Sequence, residues 1–122
     1  GFYKADSEKD NLGNSYANVL IGHVSGVKKL DWNQYYINEN YNTFSGTVFL
    51  KYNCRTTKAN WTFEIYGDDN LLYSYDFTGG IFPQEFCIDI TNIKILEISV
   101  TSQDSYGEAL AISNAILTAN PE

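Results

Sequence analysis

The sequence predicts an all-β fold, a sandwich or barrel of antiparallel strands. Residues 61–66, 86–90 and 96–101 alternate apolar and polar side chains with the period of two that places one set on each face of a sheet. Clusters of Gly, Asn, Asp and Ser close these runs, as turns between strands do. We find no helix longer than two turns. A rigid scaffold of this kind carries its function on its loops.

The first half of the chain is predicted to hold a polar lead-in and three strands. The lead-in is rich in turn-forming side chains and is expected to be flexible or loop-like. Gly46, within the third strand, marks a bulge or the start of that strand. The expected ranges are 1–11 for the lead-in and 16–24, 35–37 and 41–53 for the strands, with a connection over 27–33.

The second half is predicted to begin with a hairpin and to continue with three strands. Residues 67–70 read Gly-Asp-Asp-Asn, which are the residue types that a tight hairpin turn needs. Trp61 is in phase with the apolar positions of its strand, so it is expected in the core. Residues 109–117 would allow a two-turn helix by propensity, but the run is short and we prefer a strand. The hairpin strands are expected at 61–66 and 71–75, and the other two strands at 84–90 and 94–101.

Composition limits the classes of partner. The 122 residues predict one domain over 1–122, long enough to bury its own core. Fifteen acidic and eight basic residues give a net charge of -7, and the basic residues are scattered. Nucleic acids and anionic membranes both require a concentrated basic surface, so neither is an expected partner. No apolar run approaches the roughly 18 residues that span a membrane.

The residues do not form a complete catalytic set, and we expect no enzyme. A nucleophile–base triad would have to use the single histidine, His23, and nothing indicates an activated hydroxyl on Ser25 beside it. Paired carboxylates for glycoside hydrolysis are available, but any acidic sheet protein offers such pairs. The candidate carboxylates are Asp68, Asp69, Asp76, Asp104 and Glu108.

No metal or cofactor site is predicted. Residues 67–70 resemble a fragment of a calcium loop, but the spaced oxygens and the terminal Glu of that loop are missing, and a turn is the better interpretation. Two cysteines, Cys54 and Cys87, could form one disulfide in an exported chain. Against this, Cys87 lies inside a predicted strand and Cys54 ends one. The sequence leaves both possibilities open.

The order of several segments resembles a known family. Residues 20–25 read Leu-Ile-Gly-His-Val-Ser, and residues 63–74 form an apolar-x-apolar-Tyr-Gly-Asp hairpin followed by a leucine–tyrosine strand. Together with residues 35–48, 88–98 and 109–117, these segments are similar to NPCBM-type domains, the novel putative carbohydrate-binding modules. The resemblance implies a jelly-roll β-sandwich of the galactose-binding-domain type. It also implies a non-catalytic carbohydrate-binding module, part of a larger secreted or cell-surface bacterial protein.

A sugar ligand would be recognised by aromatic rings and by amide and carboxylate groups in the loops. Sugars present apolar C–H faces and many hydroxyls, so they need both kinds of partner. We expect Trp32 or Tyr106 to supply the stacking surface. The hydrogen-bonding partners are expected to be His23, Asn33, Asp104 and Glu108.

The sequence leaves one alternative function open. The family often carries His and Trp near an Asp before the last strand, whereas residues 102–108 here have Tyr106 as their only aromatic residue. That difference favours a protein-interaction or structural domain of a cell-surface protein that has kept the sandwich and lost sugar binding. A protein partner on the cell surface is the corresponding expectation.

Overall fold

Two antiparallel sheets face each other in the computed structural model, which describes residues 1–119. The described strands are β1 (Tyr3–Lys9), β2 (Ser15–Ile21), β3 (Leu30–Tyr36), β4 (Thr43–Leu50), β5 (Trp61–Gly67), β6 (Asn70–Phe77), β7 (Gln84–Asp89), β8 (Ile95–Thr101) and β9 (Leu110–Thr118). One sheet has the order β1-β2-β9-β4-β7 and the other the order β3-β8-β5-β6. The all-β sandwich predicted from the sequence is confirmed. One domain over 1–122 stays a prediction, and residues 120–122 lie outside the described part.

The main core fills the space between the sheets. Strand β5 shows the alternation directly, because Trp61, Phe63 and Ile65 are buried while the residues between them are partly exposed. The ring of Phe63 lies 5.8 Å from that of Phe86, which β7 contributes from the opposite sheet. A Phe63→Ala substitution would leave a cavity in this core and cost roughly 3–5 kcal/mol. The predicted core position of Trp61 is confirmed.

The β1–β2 hairpin forms a second, smaller core on the other side of the five-stranded sheet. Strand β2 pairs with β9 only over Val19–Ile21 and bends at Asn18, where φ is 53°. Tyr16 then stacks on Phe49, with ring centroids 4.4 Å apart. Residues 1–11, predicted as a flexible or loop-like lead-in, therefore include strand β1. The prediction was wrong because β1 is an exposed edge strand with little apolar alternation to reveal it.

Asp10, at the tip of this hairpin, is fully buried. Its carboxylate accepts hydrogen bonds from the backbone of Leu12 and Asn14, from the Asn14 amide and from the Tyr16 hydroxyl. Burial alone would raise the pKa of Asp10, but these hydrogen bonds outweigh it and lower the pKa. Burial and the bond to Asp10 raise the pKa of Tyr16 to about 12. The tip is also paired with Lys51, directly after β4.

The turns confirm several sequence predictions. Asp68 and Asp69 join β5 to β6 with φ of 46° and 67°, the left-handed conformation of a two-residue hairpin turn. The Asp68 carboxylate accepts hydrogen bonds from the backbone N–H groups of Lys94 and Ile95, which makes it a turn residue. The register shift beside Gly46 is the predicted bulge.

Other boundaries differ from the sequence predictions. Strand β3 begins at Leu30, within the predicted connection, because its inward positions are polar and hide the alternation. Residues 109–117 fall almost entirely in strand β9, which confirms the strand that the sequence favoured over a helix.

Cys54 and Cys87 are both free thiols, so the disulfide does not form. Among residues 1–119, no helix has the length and apolar character needed to cross a membrane.

Candidate functional site

Two loops meet at one end of the sandwich, between β2 and β3 and between β8 and β9. The backbone of Val24 both donates to and accepts from Gly107, at 2.9 and 2.8 Å. The start of β1 and the end of β4 reach the same end, because Tyr3 pairs with Ile21 and Leu50 with Leu110. We call this end the rim and define it by the side chains of Tyr3, His23, Lys51, Tyr106 and Glu108.

His23 and Glu108 face each other across the two loops. The His23 Nδ1 atom lies 3.8 Å from Glu108 Oε2, and the two side chains are 58% and 35% exposed. The backbone N–H of His23 donates to the Asp31 carboxylate at 2.7 Å, which fixes where the loop leaves β2. An imidazole and a carboxylate are therefore presented together to solvent.

Lys51 holds Glu108 from the inside of the rim. Its Nζ atom lies 3.8 Å from Glu108 Oε1 and 3.3 Å from Glu8 Oε2, and the Lys51 side chain is only 7% exposed. A buried ammonium requires such partners, because an unpaired charge is costly to desolvate. Desolvation, and next the hydrogen bond to Glu108, raise the pKa of Tyr3. The Glu108 carboxylate thus lies close to the side chains of Tyr3, His23 and Lys51.

Tyr106 supplies an exposed ring at the rim. It is 71% exposed and directly precedes Gly107, the residue that pairs with Val24. A Cβ atom built on Gly26 would lie 4.0 Å from Tyr106 Cγ, so the ring lies over the neighbouring loop. An exposed ring, a carboxylate and an imidazole on the same pair of loops are the kinds of group that can hold a polyol.

The structure separates the six predicted ligand-binding residues. His23, Tyr106 and Glu108 come together at the rim. Trp32 lies elsewhere, on the outer face of the four-stranded sheet, and is 48% exposed. Asn33 points the other way, where its Oδ1 accepts the backbone N–H of Phe2 at 2.8 Å and its amide donates to the Tyr35 hydroxyl at 3.0 Å.

Asp104 belongs to the same loop as Tyr106 but turns away from it. Its carboxylate accepts the backbone N–H of Asn60 at 3.2 Å and the Ser102 hydroxyl at 3.1 Å. It lines a separate hollow of about 280 Å³ with Asn60, Thr62, Thr101, Ser102 and Gln103.

Sequence reasoning missed Tyr3, Glu8 and Lys51 as members of this cluster. Tyr3 and Glu8 lie in the segment taken for a lead-in, and Lys51 follows a buried strand. No local pattern marks them, because only the pairing of β1 with β2 and of β4 with β9 brings them to the rim.

The rim provides recognition groups rather than an activated nucleophile. The Ser25 hydroxyl accepts the backbone N–H of Lys28 at 2.8 Å, so it serves a turn instead of facing His23 as a nucleophile. No cluster of three or more metal-binding side chains occurs within residues 1–119.

Comparisons with known proteins place the fold and the family. The model of the NPCBM/NEW2 domain matches residues 23–113, three-quarters of the chain, and this range contains every rim residue except Tyr3. No curated protein matches the sequence.

Several solved structures similar to this chain are carbohydrate-binding modules. The CBM51 module of Clostridium perfringens GH95, solved with methyl-galactose, shares 18% identity at a TM-score of 0.73, over 92% of this chain and 79% of that one. CBM51-2 with the INT domains of Clostridium perfringens ZmpB, solved with GlcNAc, shares 14% identity at a TM-score of 0.76, over 98% of this chain and 28% of that one. The tandem CBM51 modules of the family 98 glycoside hydrolase of Streptococcus pneumoniae SP3-BS71 share 15% identity at a TM-score of 0.73, over 93% of this chain and 36% of that one. The TM-scores show a common fold, and at identities of 14–18% the likeness shows the fold alone.

Proposed function

The chain belongs to the NPCBM/NEW2 domain family, and from that premise we propose that it is a non-catalytic carbohydrate-binding module that holds a sugar at the rim. The observation that carries the proposal is the Glu108 carboxylate, which lies 3.8 Å from both His23 Nδ1 and Lys51 Nζ on the loop that also carries the exposed ring of Tyr106. Groups held in place before the ligand arrives lose little entropy on binding.

Three of the rim residues have defined roles in this proposal. Glu108 accepts hydrogen bonds from sugar hydroxyls, and charge-assisted bonds of this kind are about twice as strong as neutral ones. His23 supplies a second hydrogen-bonding partner at its exposed imidazole. Tyr106 stacks on the apolar C–H face of the ring. His23 and Tyr106 are both exposed at the end of the sandwich, where a single terminal sugar can reach them.

The first sugars to test are those with which the similar modules were solved. One of these was solved with methyl-galactose and another with GlcNAc, so these two sugars are the first probes. One solvent-exposed site should bind weakly, with Kd on the order of 10⁻⁴ M. Useful retention would then come from several linked modules. We propose that the chain is one module of a larger secreted or cell-surface bacterial protein, as the second and third similar structures are larger than this chain.

A glycan array followed by calorimetric titration of the strongest binder tests this proposal. We expect binding by the wild-type chain that falls at least tenfold in Tyr106→Ala, with circular dichroism unchanged. Ile116→Ala is the control, because Ile116 is also exposed, at 52%, but pairs with Ser45 at the opposite end of β9 from the rim. Array-wide absence of binding, together with capture of a defined protein by the rim, would instead support the alternative of a protein-interaction domain.

A further inference from the structure

The outer face of the four-stranded sheet carries a second set of exposed aromatic side chains. Trp32 and Tyr36 are 48% and 71% exposed, and both lie on β3. They are four residues apart and therefore point to the same side of the strand, with backbones about 13 Å apart. Neither residue contributes to the rim. A single sugar ring cannot bridge two side chains at this separation.

Polar side chains lie between and beside the two rings. Gln34, midway between them on β3, donates a hydrogen bond from its amide to Glu97 Oε1 at 2.8 Å. Glu97 lies opposite Gln34 on β8, and Tyr66 lies opposite Glu97 on β5. The two rings are thus separated by a hydrogen-bonded amide and carboxylate, in contrast to the continuous apolar core of protein–protein interfaces.

The face continues into the hollow beside Asp104. Leu30 on β3 lies opposite Thr101 on β8, and Thr101 lies opposite Thr62 on β5. Both threonines line the hollow of about 280 Å³ together with Asp104. From Tyr36 through Trp32 and the exposed Leu30 to this hollow, the face carries rings, amides, hydroxyls and carboxylates.

The charge of the face restricts what can lie on it. Glu64, Asp76 and Glu97 point outward from β5, β6 and β8, while the described outward positions of these strands and of β3 hold no Lys or Arg. An acidic chain would be repelled by these carboxylates. A neutral or amino-bearing sugar chain has hydroxyls for the polar groups and apolar faces for the rings.

We propose that this face, defined by Trp32, Gln34, Tyr36, Glu97 and Asp104, is a second glycan-binding surface that holds a linear, non-acidic chain of sugars. The proposal goes beyond the rim site, which takes a terminal sugar. The two surfaces use different residues, so either proposal can be disproved without affecting the other.

Titration of the whole chain with cello-, xylo- and chito-oligosaccharides of two to six units tests the proposal. Tryptophan fluorescence is the readout, since Trp32 is exposed and Trp61, the other tryptophan, is 3% exposed. We expect affinity to rise with chain length in at least one series, and polygalacturonate to bind much more weakly. Failure of every series to bind, or affinity independent of length, would overturn the proposal.

Variants assign the binding to the face. Trp32→Ala and Tyr36→Ala are each expected to weaken binding of the longest oligosaccharide about tenfold. Trp32→Phe keeps an aromatic ring and is expected to retain part of the affinity, measured by calorimetry. Tyr36→Ala keeps the test valid if Trp32→Ala fails to fold. Ile116→Ala, an exposed position on the other sheet that pairs with Ser45, should bind as the wild type does. Loss in Tyr106→Ala alone would contradict the proposal, as would a dimer in sedimentation that Trp32→Ala dissociates, since the face would then join two copies.

Discussion

His23 Nδ1 and Glu108 Oε2 lie 3.8 Å apart, on two loops joined by the pairing of Val24 with Gly107. On its other side, Glu108 Oε1 lies 3.8 Å from the buried Nζ of Lys51. The carboxylate therefore lies between an exposed imidazole and a buried ammonium. Strand pairing brings the Glu108 carboxylate to this place without a ligand.

Replacing Glu108 by Gln should weaken sugar binding at the rim. The substitution keeps the shape of the side chain but removes the charge, so hydrogen bonds from sugar hydroxyls lose their charge assistance. We expect roughly a tenfold loss of affinity in calorimetric titration. Glu39→Gln is the control, since Glu39 is exposed and far from the rim at the other end of β3. Unchanged affinity in Glu108→Gln would remove Glu108 from the site.

Replacing Lys51 by Met should destabilise the rim end of the sandwich. Glu8 and Glu108 would lose their shared cation, and both are only partly exposed, at 23% and 35%. We expect a loss of about 1–3 kcal/mol in the free energy of unfolding. Adding Glu8→Gln should recover part of it, because one unpaired carboxylate is then gone. Strictly additive losses in urea unfolding would show that the two groups do not interact.

Acid should weaken the hairpin that covers Phe49. The pKa of Asp10 is lowered in the folded chain from 3.8, so its stabilising contribution is present above that value and disappears as the pH falls through the folded pKa. Asp10→Asn should therefore be less stable than the wild type at neutral pH by about 1–3 kcal/mol. The difference should shrink below pH 3.8. A difference that stays constant in thermal unfolding from pH 7 to pH 2 would contradict this account.

The two thiols should react at different rates, and reductant should leave the melting temperature unchanged. Cys87 is exposed, whereas Cys54 is partly buried and burial raises the pKa of its thiol. Because the thiolate is the reactive form, Cys87 should react first with a thiol reagent. Mass spectrometry after brief labelling measures the order. A bridged pair that resists labelling until reduced would contradict the structure.

Sequence patterns revealed the strands whose two faces differ and missed those whose faces do not. The β5–β6 hairpin was predictable because Trp61, Phe63 and Ile65 alternate with polar residues and Asp68 and Asp69 suit the turn. Strand β1 was not, since it is an edge strand with most side chains exposed. The rim was predicted in part, through His23, Tyr106 and Glu108. Lys51 could not be predicted, because its role depends on long-range pairing.

Mapping sugar-induced shifts of backbone amides by NMR locates a bound monosaccharide on the sandwich. With methyl-galactose or GlcNAc as ligand, we expect shifts centred on His23, Tyr106, Gly107 and Glu108, saturating with a single Kd. Shifts confined to the opposite end of the sandwich, around Asp68 and Asn92, or an unchanged spectrum at saturating sugar, would contradict this expectation.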